Sequence, residues 1–350
     1  MASFNDRLFV AHTQVPPVVI ELEAIFKELP DEELLARLRG PRRRGRRGYN
    51  PAILWRCYVA YYYLGLESVS ALIRLLEDNP YIARACGIDL PDGIPSQPTF
   101  SRFGTRLAKP AFALAVKNVM RSLTRKLYET LPDFGKSVAI DSTDIKAWSN
   151  GGKKGSKQQR SGAERRPPNP GNVSDPDAGW VVKTNTEGNR KYVWGYKVHI
   201  LADTTYELPL VVDVTAGNVP DIKRAGPLLR QARFITAGFH PNYVIADAGY
   251  SSDTLRHLIR RQYRAEPVID PNPSHKKAFA ATVKTPEWKV VYNRRVAIER
   301  LNGRLKGHRK LNALRVRGLF KVRLHTFLSI MVCQAQALAT KSRISVRRVA

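Results

Sequence analysis

Cysteine is nearly missing from this 350-residue chain: Cys57, Cys86 and Cys333 are the whole complement. Three thiols, odd in number, far apart and without a CxxC pair, give neither a disulfide framework nor a zinc spacing. They fit a reducing compartment. The seven histidines show no metal-ligand spacing either. His199, on an expected strand, and His308, beyond an expected helix, read as structural or phosphate-facing groups. Long apolar runs are absent as well. The most apolar late stretch, Phe327 to Ala339, is interrupted by Gln334 and Gln336 and falls short of the about 20 residues a bilayer requires. The opening Met-Ala-Ser-Phe-Asn-Asp lacks the basic-then-apolar plan of a secretory signal. No repeat is visible.

Acids are scarce too: 30 Asp and Glu stand against 58 Lys and Arg, for a formal charge of +28. Like charges repel in a compact state, so this excess opposes folding and makes sense beside a polyanion, of which nucleic acid is the commonest. A basic proteome, a ribosomal partner or an anionic membrane are the alternatives. With 43% apolar residues the chain can still bury a core, and 350 residues give room for about two domains. The expectation is a cytoplasmic, nucleoid-associated protein without a membrane-spanning segment.

Residues 1 to 130 read as helical. Leu22, Ile25, Phe26, Leu29, Leu34, Leu35 and Leu38 keep helical spacing, broken at Pro30. The run Arg42-Arg43-Arg44-Gly45-Arg46-Arg47 is either a solvated loop or an arm that grips phosphate. Helices follow at Pro51 to Leu64 and Ser68 to Asp78. A third begins near Ser96, a plausible N-cap, with Phe100, Phe103 and Leu107 on one side and Arg102 and Arg106 on the other. This order is compatible with a helix-turn-helix and equally with an ordinary bundle.

The character changes at Ser137. Val138-Ala-Ile-Asp141 and Tyr243-Val-Ile-Ala-Asp247 are apolar runs that each end in an acid, and the second reads as a strand buried on both faces. Residues 150–179, rich in Gly, Pro, Lys and Arg, read as an exposed mobile loop. Further strands are expected at Tyr192 to Asp203, Leu208 to Thr215 and Pro267 to Asp270, and helices at Asp221 to Phe234, Ser251 to Tyr263, Trp288 to Lys306 and Leu319 to Ala339. Strand ends are where distant parts of a chain can meet in a rigid cleft. In the helix that begins at Trp288, Tyr292, Arg295, Glu299 and Lys306 fall at offsets 3, 7 and 14, an arc of about 60° on a continuous helix. Ile298, Leu301 and Leu305 form the neighbouring apolar stripe. By spacing alone, Arg295 and Glu299 also suit an ordinary i, i+4 ion pair.

The Tyr-x2-Arg-x3-Glu-x6-Lys pattern, with Asp141 in Val-Ala-Ile-Asp-Ser-Thr-Asp and Asp247 in Ile-Ala-Asp-Ala-Gly-Tyr, resembles bacterial insertion-sequence transposases of the DDE class. The tail Leu311-Asn-Ala-Leu-Arg-Val-Arg-Gly-Leu-Phe-Lys-Val is similar to such proteins as well. The resemblance covers about 135–340 and, less specifically, 49–107. It implies an α/β fold: a ribonuclease H-like mixed five-stranded sheet flanked by helices (131–340), after an all-helical DNA-binding domain (1–130) and before a basic tail (341–350). It implies that Asp141, Asp247 and Glu299 are catalytic acids holding two Mg2+ ions, with Mn2+ able to substitute. Tyr292, Arg295, Lys306, Arg102, Arg106, Arg43 and Arg44 are the expected DNA contacts. Double-stranded DNA, both transposon ends and target, is the expected partner of a homodimer in the synaptic complex. Asp144, three positions along the strand from Asp141, is a rival that would face the other way. A metal-dependent nuclease without strand transfer, and a DNA-binding repressor derived from a transposase, are the rival functions.

Overall fold

The computed structural model describes residues 15–40, 48–89, 91, 93–149, 173–184, 190–272 and 284–349, with backbone alone for 183, 184, 190, 191 and 343–349. Arg43 and Arg44 lie outside the described residues, as does the expected loop over 150–172.

Seven helices come first: α1 (Pro17–Glu28), α2 (Glu32–Arg39), α3 (Pro51–Tyr63), α4 (Val69–Asp78), α5 (Pro80–Ala85), α6 (Gln97–Leu107) and α7 (Pro110–Thr130). Side-chain oxygens of Asn50, Ser68 and Asn79 accept from the first-turn N–H groups of α3, α4 and α5, each worth about 1 kcal/mol. Ser96 does precede α6, but its Oγ lies 3.1 Å from Thr99 Oγ1 and caps no N–H.

The second half is a mixed sheet of six strands: β1 (Ser137–Lys146), β2 (Gly179–Thr184), β3 (Arg190–Asp203), β4 (Pro209–Ala216), β5 (Tyr243–Ala246) and β6 (Glu266–Ile269). The order is β2-β3-β1-β5-β6, with β4 also on β3; β1, β5 and β6 run parallel and the other pairings are antiparallel. The expected five strands are thus one too few. The addition is β2, whose short Gly-Trp-Val-Val run adjoins a stretch too polar and glycine-rich to announce a strand. At Gly195 a side chain would collide with the backbone of Ile145, so only glycine lets β1 and β3 approach there.

Residues 173–178 form a loop exposed at Ser174, Pro176 and Asp177, as expected, but tied down at two points. Asp175 is buried and accepts from Tyr196 Oη at 2.7 Å, while Asp177 accepts from the N–H of Leu319 at 2.9 Å. Helix α8 (Ile222–Ile235) follows β4. Asp221 stands at its start but pairs with Lys197 at 3.0 Å and caps nothing. After β5, residues Asp253–Leu258 form α9, which continues as a π-helical turn over Ile259–Tyr263.

The single helix expected from Trp288 to Lys306 is two: α10 (Pro286–Asn293) and α11 (Val296–Gly307). Tight i→i−3 bonds, Arg295 N–H to Tyr292 at 2.9 Å and Ile298 N–H to Arg295 at 3.1 Å, bend the chain between them. The continuous arc of Tyr292, Arg295, Glu299 and Lys306 is therefore broken at its second member. The last helix, α12 (Leu319–Val349), contains neither Gly nor Pro and continues into the segment read as a tail. It packs on α7, α1, α3 and β4. Tyr62 Oη meets His325 Nδ1 at 2.9 Å, and Gln334 Nε2 donates to Thr124 and to the Pro209 carbonyl. One contiguous apolar core thus runs from α1 through the sheet to α12. Among the described residues no helix is long and apolar enough to cross a membrane.

Candidate active site

The parallel register pairs Ile140 with Ala246 and Ala246 with Ile269. The next residue on each strand is an acid: Asp141, Asp247 and Asp270. Adjacent strands lie about 4.8 Å apart, so three carboxylates leave the sheet at one level. Asp247 Oδ1 accepts from the Gly249 N–H at 2.9 Å, which fixes it at the head of a 3-10 turn over Ala248–Tyr250. Asp270 is paired with Lys284 at 2.6 Å. It carries the same sequence signal as the other two, an apolar run closed by an acid, and was passed over.

The electrostatics of Asp141 report its surroundings. Burial pushes its pKa from 3.8 to about 6, and the Asp247 and Glu299 charges push the same way; the Ser142 N–H and Arg295 oppose. Glu299 is on α11, held to the sheet by buried Ile298, Leu301 and Leu305. Its carboxylate is half-exposed and lies 2.6 Å from Arg295. Arg295 also lies 5.9 Å over the Tyr292 ring, and Tyr292 stacks on Trp288 at 4.7 Å and 13°. Burial, then the Asp270 charge, raises the Tyr292 phenol, with Asp247 adding to it.

A residue that sequence reading missed completes the cluster. Asn302, one turn beyond Glu299, donates from Nδ2 to Asp141 Oδ2 at 3.0 Å. An ionised carboxylate only accepts, so the amide must present its nitrogen. Its Oδ1 is then left buried with no protein partner among the described residues. The i, i+3 spacing from Glu299 was the available signal.

Lys306 is partly buried two turns beyond Glu299. Arg102 is exposed on α6, while Arg106 donates to the Leu38 carbonyl at 2.7 Å and lies over Phe112 at 5.0 Å. The structure therefore brings together Asp141, Asp247, Glu299, Arg295 and Tyr292, and leaves Arg102 and Arg106 in the helical half. Asp144 alternates to the opposite face of β1 from Asp141. His199, the strand histidine, is fully buried, with Nε2 2.8 Å from Thr215 Oγ1; burial pushes it down to about 4.

The donor set is one of hard oxygens, the kind Mg2+ prefers. The negative charge crowded around Asp141 is the kind a cation relieves. Among the described residues, however, no three His, Cys, Asp or Glu side chains are grouped closely enough to hold a metal. Glu299 is turned onto Arg295 instead. The chemistry of the residues fits a divalent cation, while Glu299 is held by Arg295.

Acids at one level of a mixed sheet, beside a helix-borne glutamate and arginine, suit an enzyme that acts on phosphodiesters. The transposase DDE domain family model matches residues 133–333, which contain all three acids, and the model described as Transposase domain (DUF772) matches 12–106. A Brucella ovis protein named as a transposase for insertion sequence element IS6501 is 33% identical over 115 residues, which is 33% of this chain and 78% of that one. The chain belongs to the DDE transposase family of insertion sequences.

Proposed function

We propose that this transposase cleaves DNA at the ends of its element and joins the freed ends to target DNA, on a ribonuclease H-like domain over 131–340. Residues 1–130 serve as its helical DNA-binding domain. Asp141, Asp247 and Glu299 are the catalytic acids. The observation that carries this reading is the common level of Asp141 and Asp247 on neighbouring parallel strands, with ionised Asp141 disfavoured first by burial and then by the charges of Asp247 and Glu299.

A pair of divalent cations, Mg2+ first and Mn2+ as a substitute, would supply activation of the attacking oxygen and neutralisation of the leaving one. Asp141, Asp247 and Glu299 would hold them. The rest is done by the chain. Asn302 fixes the rotamer of Asp141. Arg295, once Glu299 leaves it, is free to take a phosphate oxygen, and its planar fork suits that geometry. Lys306 adds a second phosphate contact, and Tyr292 with Trp288 offers a stacked aromatic platform to a base. Water attacks the phosphodiester and leaves a 3′-hydroxyl; that hydroxyl then attacks a target phosphodiester, so one bond forms as another breaks. Two ends must be joined together, which calls for two copies of the chain.

A strand-transfer assay with labelled terminal DNA tests the proposal. Label joined to target supports it, and Asp247→Ala should abolish that product. Nicks without joining indicate a nuclease. Binding alone, unaltered by Asp247→Ala, indicates a repressor.

A further inference from the structure

Asp141 and Asp247 directly follow the last parallel pair of β1 and β5, Ile140 with Ala246. At the opposite ends, roughly 13 Å away from Tyr243 to Asp247 along β5, lies a different surface. There the π-helical turn and the start of β6 form a cleft of about 530 Å3 lined by Asn242, Tyr243, Arg260, Arg264 and Glu266. A second cleft of about 500 Å3, lined by Arg233, His240, Arg261 and Arg264, adjoins it. Arg264 belongs to both, so the two make one track.

Four arginines face a single carboxylate there. Glu266 pairs with Arg260 at 3.0 Å, with both side chains more than half exposed, and Arg233 donates to the Gln262 carbonyl at 3.3 Å. Stability does not require this arrangement. Exposed pairs of this kind contribute little. Arg264 adopts a left-handed backbone (φ 53°), where glycine or asparagine would sit without strain. The turn before it is π-helical, a form rare outside functional sites. Local geometry works against the residue chosen at 264, and that residue shares its positive charge with Arg233, Arg260 and Arg261.

We infer that this track is a second DNA-backbone surface, separate from the acids, which carries duplex DNA away from the point of cleavage. It rests on the reading of the chain as a DNA-cleaving transposase. The clefts are open and polar and share Arg264, which suits a polymer of phosphates better than a free nucleotide. A second copy of this chain is a poor occupant, because each carries a net +28. Arg294, the residue before Arg295, lies 5.8 Å over the Tyr243 ring and so connects the track to the α10–α11 turn beside the acids.

The test measures binding of a labelled duplex by the full chain across salt concentrations. Two variants are compared with wild type: Arg264→Gly, which relieves the left-handed backbone while removing a charge, and Arg233→Gln with Arg261→Gln. Each arginine lost should reduce the slope of log K against log salt by about 0.9 and leave low-salt affinity several-fold weaker. Cleavage at saturating duplex should be unchanged. A slope and affinity equal to wild type in both variants overturns the inference, and so does a change seen with single-stranded RNA but not with the duplex. Asp247→Ala is run alongside. If it abolishes cleavage while the arginine variants change nothing, only the track is wrong; if it leaves cleavage intact, the assignment of the acids fails and takes the track with it.

Discussion

The two faces of the sheet at β1 carry polar clusters of opposite design. On one face Asp141 meets Asp247, Glu299, Arg295 and Asn302, three acids against one cation. On the other, Ser142 pairs across the strands with His199, and His199 with Asp213. There Lys197 binds Asp221 at 3.0 Å, Arg224 binds Asp213, and His199 is neutral, so Asp221 and Asp213 each have a cation. Tyr250 lies between, buried, its phenol pushed well up by desolvation and then by the charges of Asp221, Asp141 and Asp247. A balanced buried cluster holds a fold together. An unbalanced one stores a demand for charge that only a ligand can meet.

The faces should answer acid in opposite directions. Asp141 has its folded pKa raised from 3.8 to about 6, so its ionisation opposes folding above pH 6 and the penalty disappears as pH falls toward 4. Asp141→Asn should raise stability by up to about 3 kcal/mol at pH 8 and by nothing near pH 4, read from urea melts at both. His199 has its folded pKa lowered from 6.5 to about 4 by burial, which outweighs the nearby Asp221 and Asp213 carboxylates. Its contribution is complete above pH 6.5 and is lost as pH falls from there to 4. His199→Gln should therefore flatten the acid limb of the wild-type stability curve by about 3 kcal/mol, the figure for two and a half pKa units. A variant of Asp141 that lost stability at pH 8 would break the contrast.

The balanced side is tested next by Asp221→Ala. It leaves Lys197, only 15% exposed, without its carboxylate. A loss of about 2 kcal/mol is expected, less than for a fully buried pair because Asp221 is 30% exposed. The readout is the urea midpoint at pH 7. Glu299→Gln, by contrast, breaks a pair whose acid is half in solvent; stability should move by less than about 1 kcal/mol while strand transfer is lost.

Much of this was legible in the sequence because strands buried on both faces are short apolar runs, and the acids end them. Asp141 and Asp247 stand at such runs, while β3 and β4 are marked by β-branched and aromatic content and most of the helices by apolar spacing. What escaped has physical reasons. The break at Arg294–Arg295 carries no Gly or Pro, and the weaker helix formers Asn293 and Val296 beside it are common inside helices, so no strong local signal marked it. Strand β2 is made by its pairing to β3, a non-local effect. Asp270 showed the right signal on a third strand. The balance of Lys197, His199, Asp213, Asp221 and Arg224 depends on which strands become neighbours, and no single segment records that.

Asn302 gives the smallest and sharpest test of the contrast. Its Nδ2 restrains an acid that is already destabilised, and its Oδ1 is buried with no protein partner among the described residues. A side chain selected for stability would not leave an acceptor so placed, since an unmet buried polar atom costs about 1–3 kcal/mol. Asn302→Leu keeps the shape, removes the orphan oxygen and also removes the donor to Asp141. The two changes oppose each other, so the thermal midpoint should stay the same or rise by an amount equivalent to about 1 kcal/mol. Binding of Mn2+, followed by calorimetry, should weaken roughly ten-fold, because the carboxylate proposed to receive the ion is no longer oriented. Lower stability with unaltered Mn2+ binding would place Asn302 with the balanced, structural face of the sheet and erase the distinction between the two.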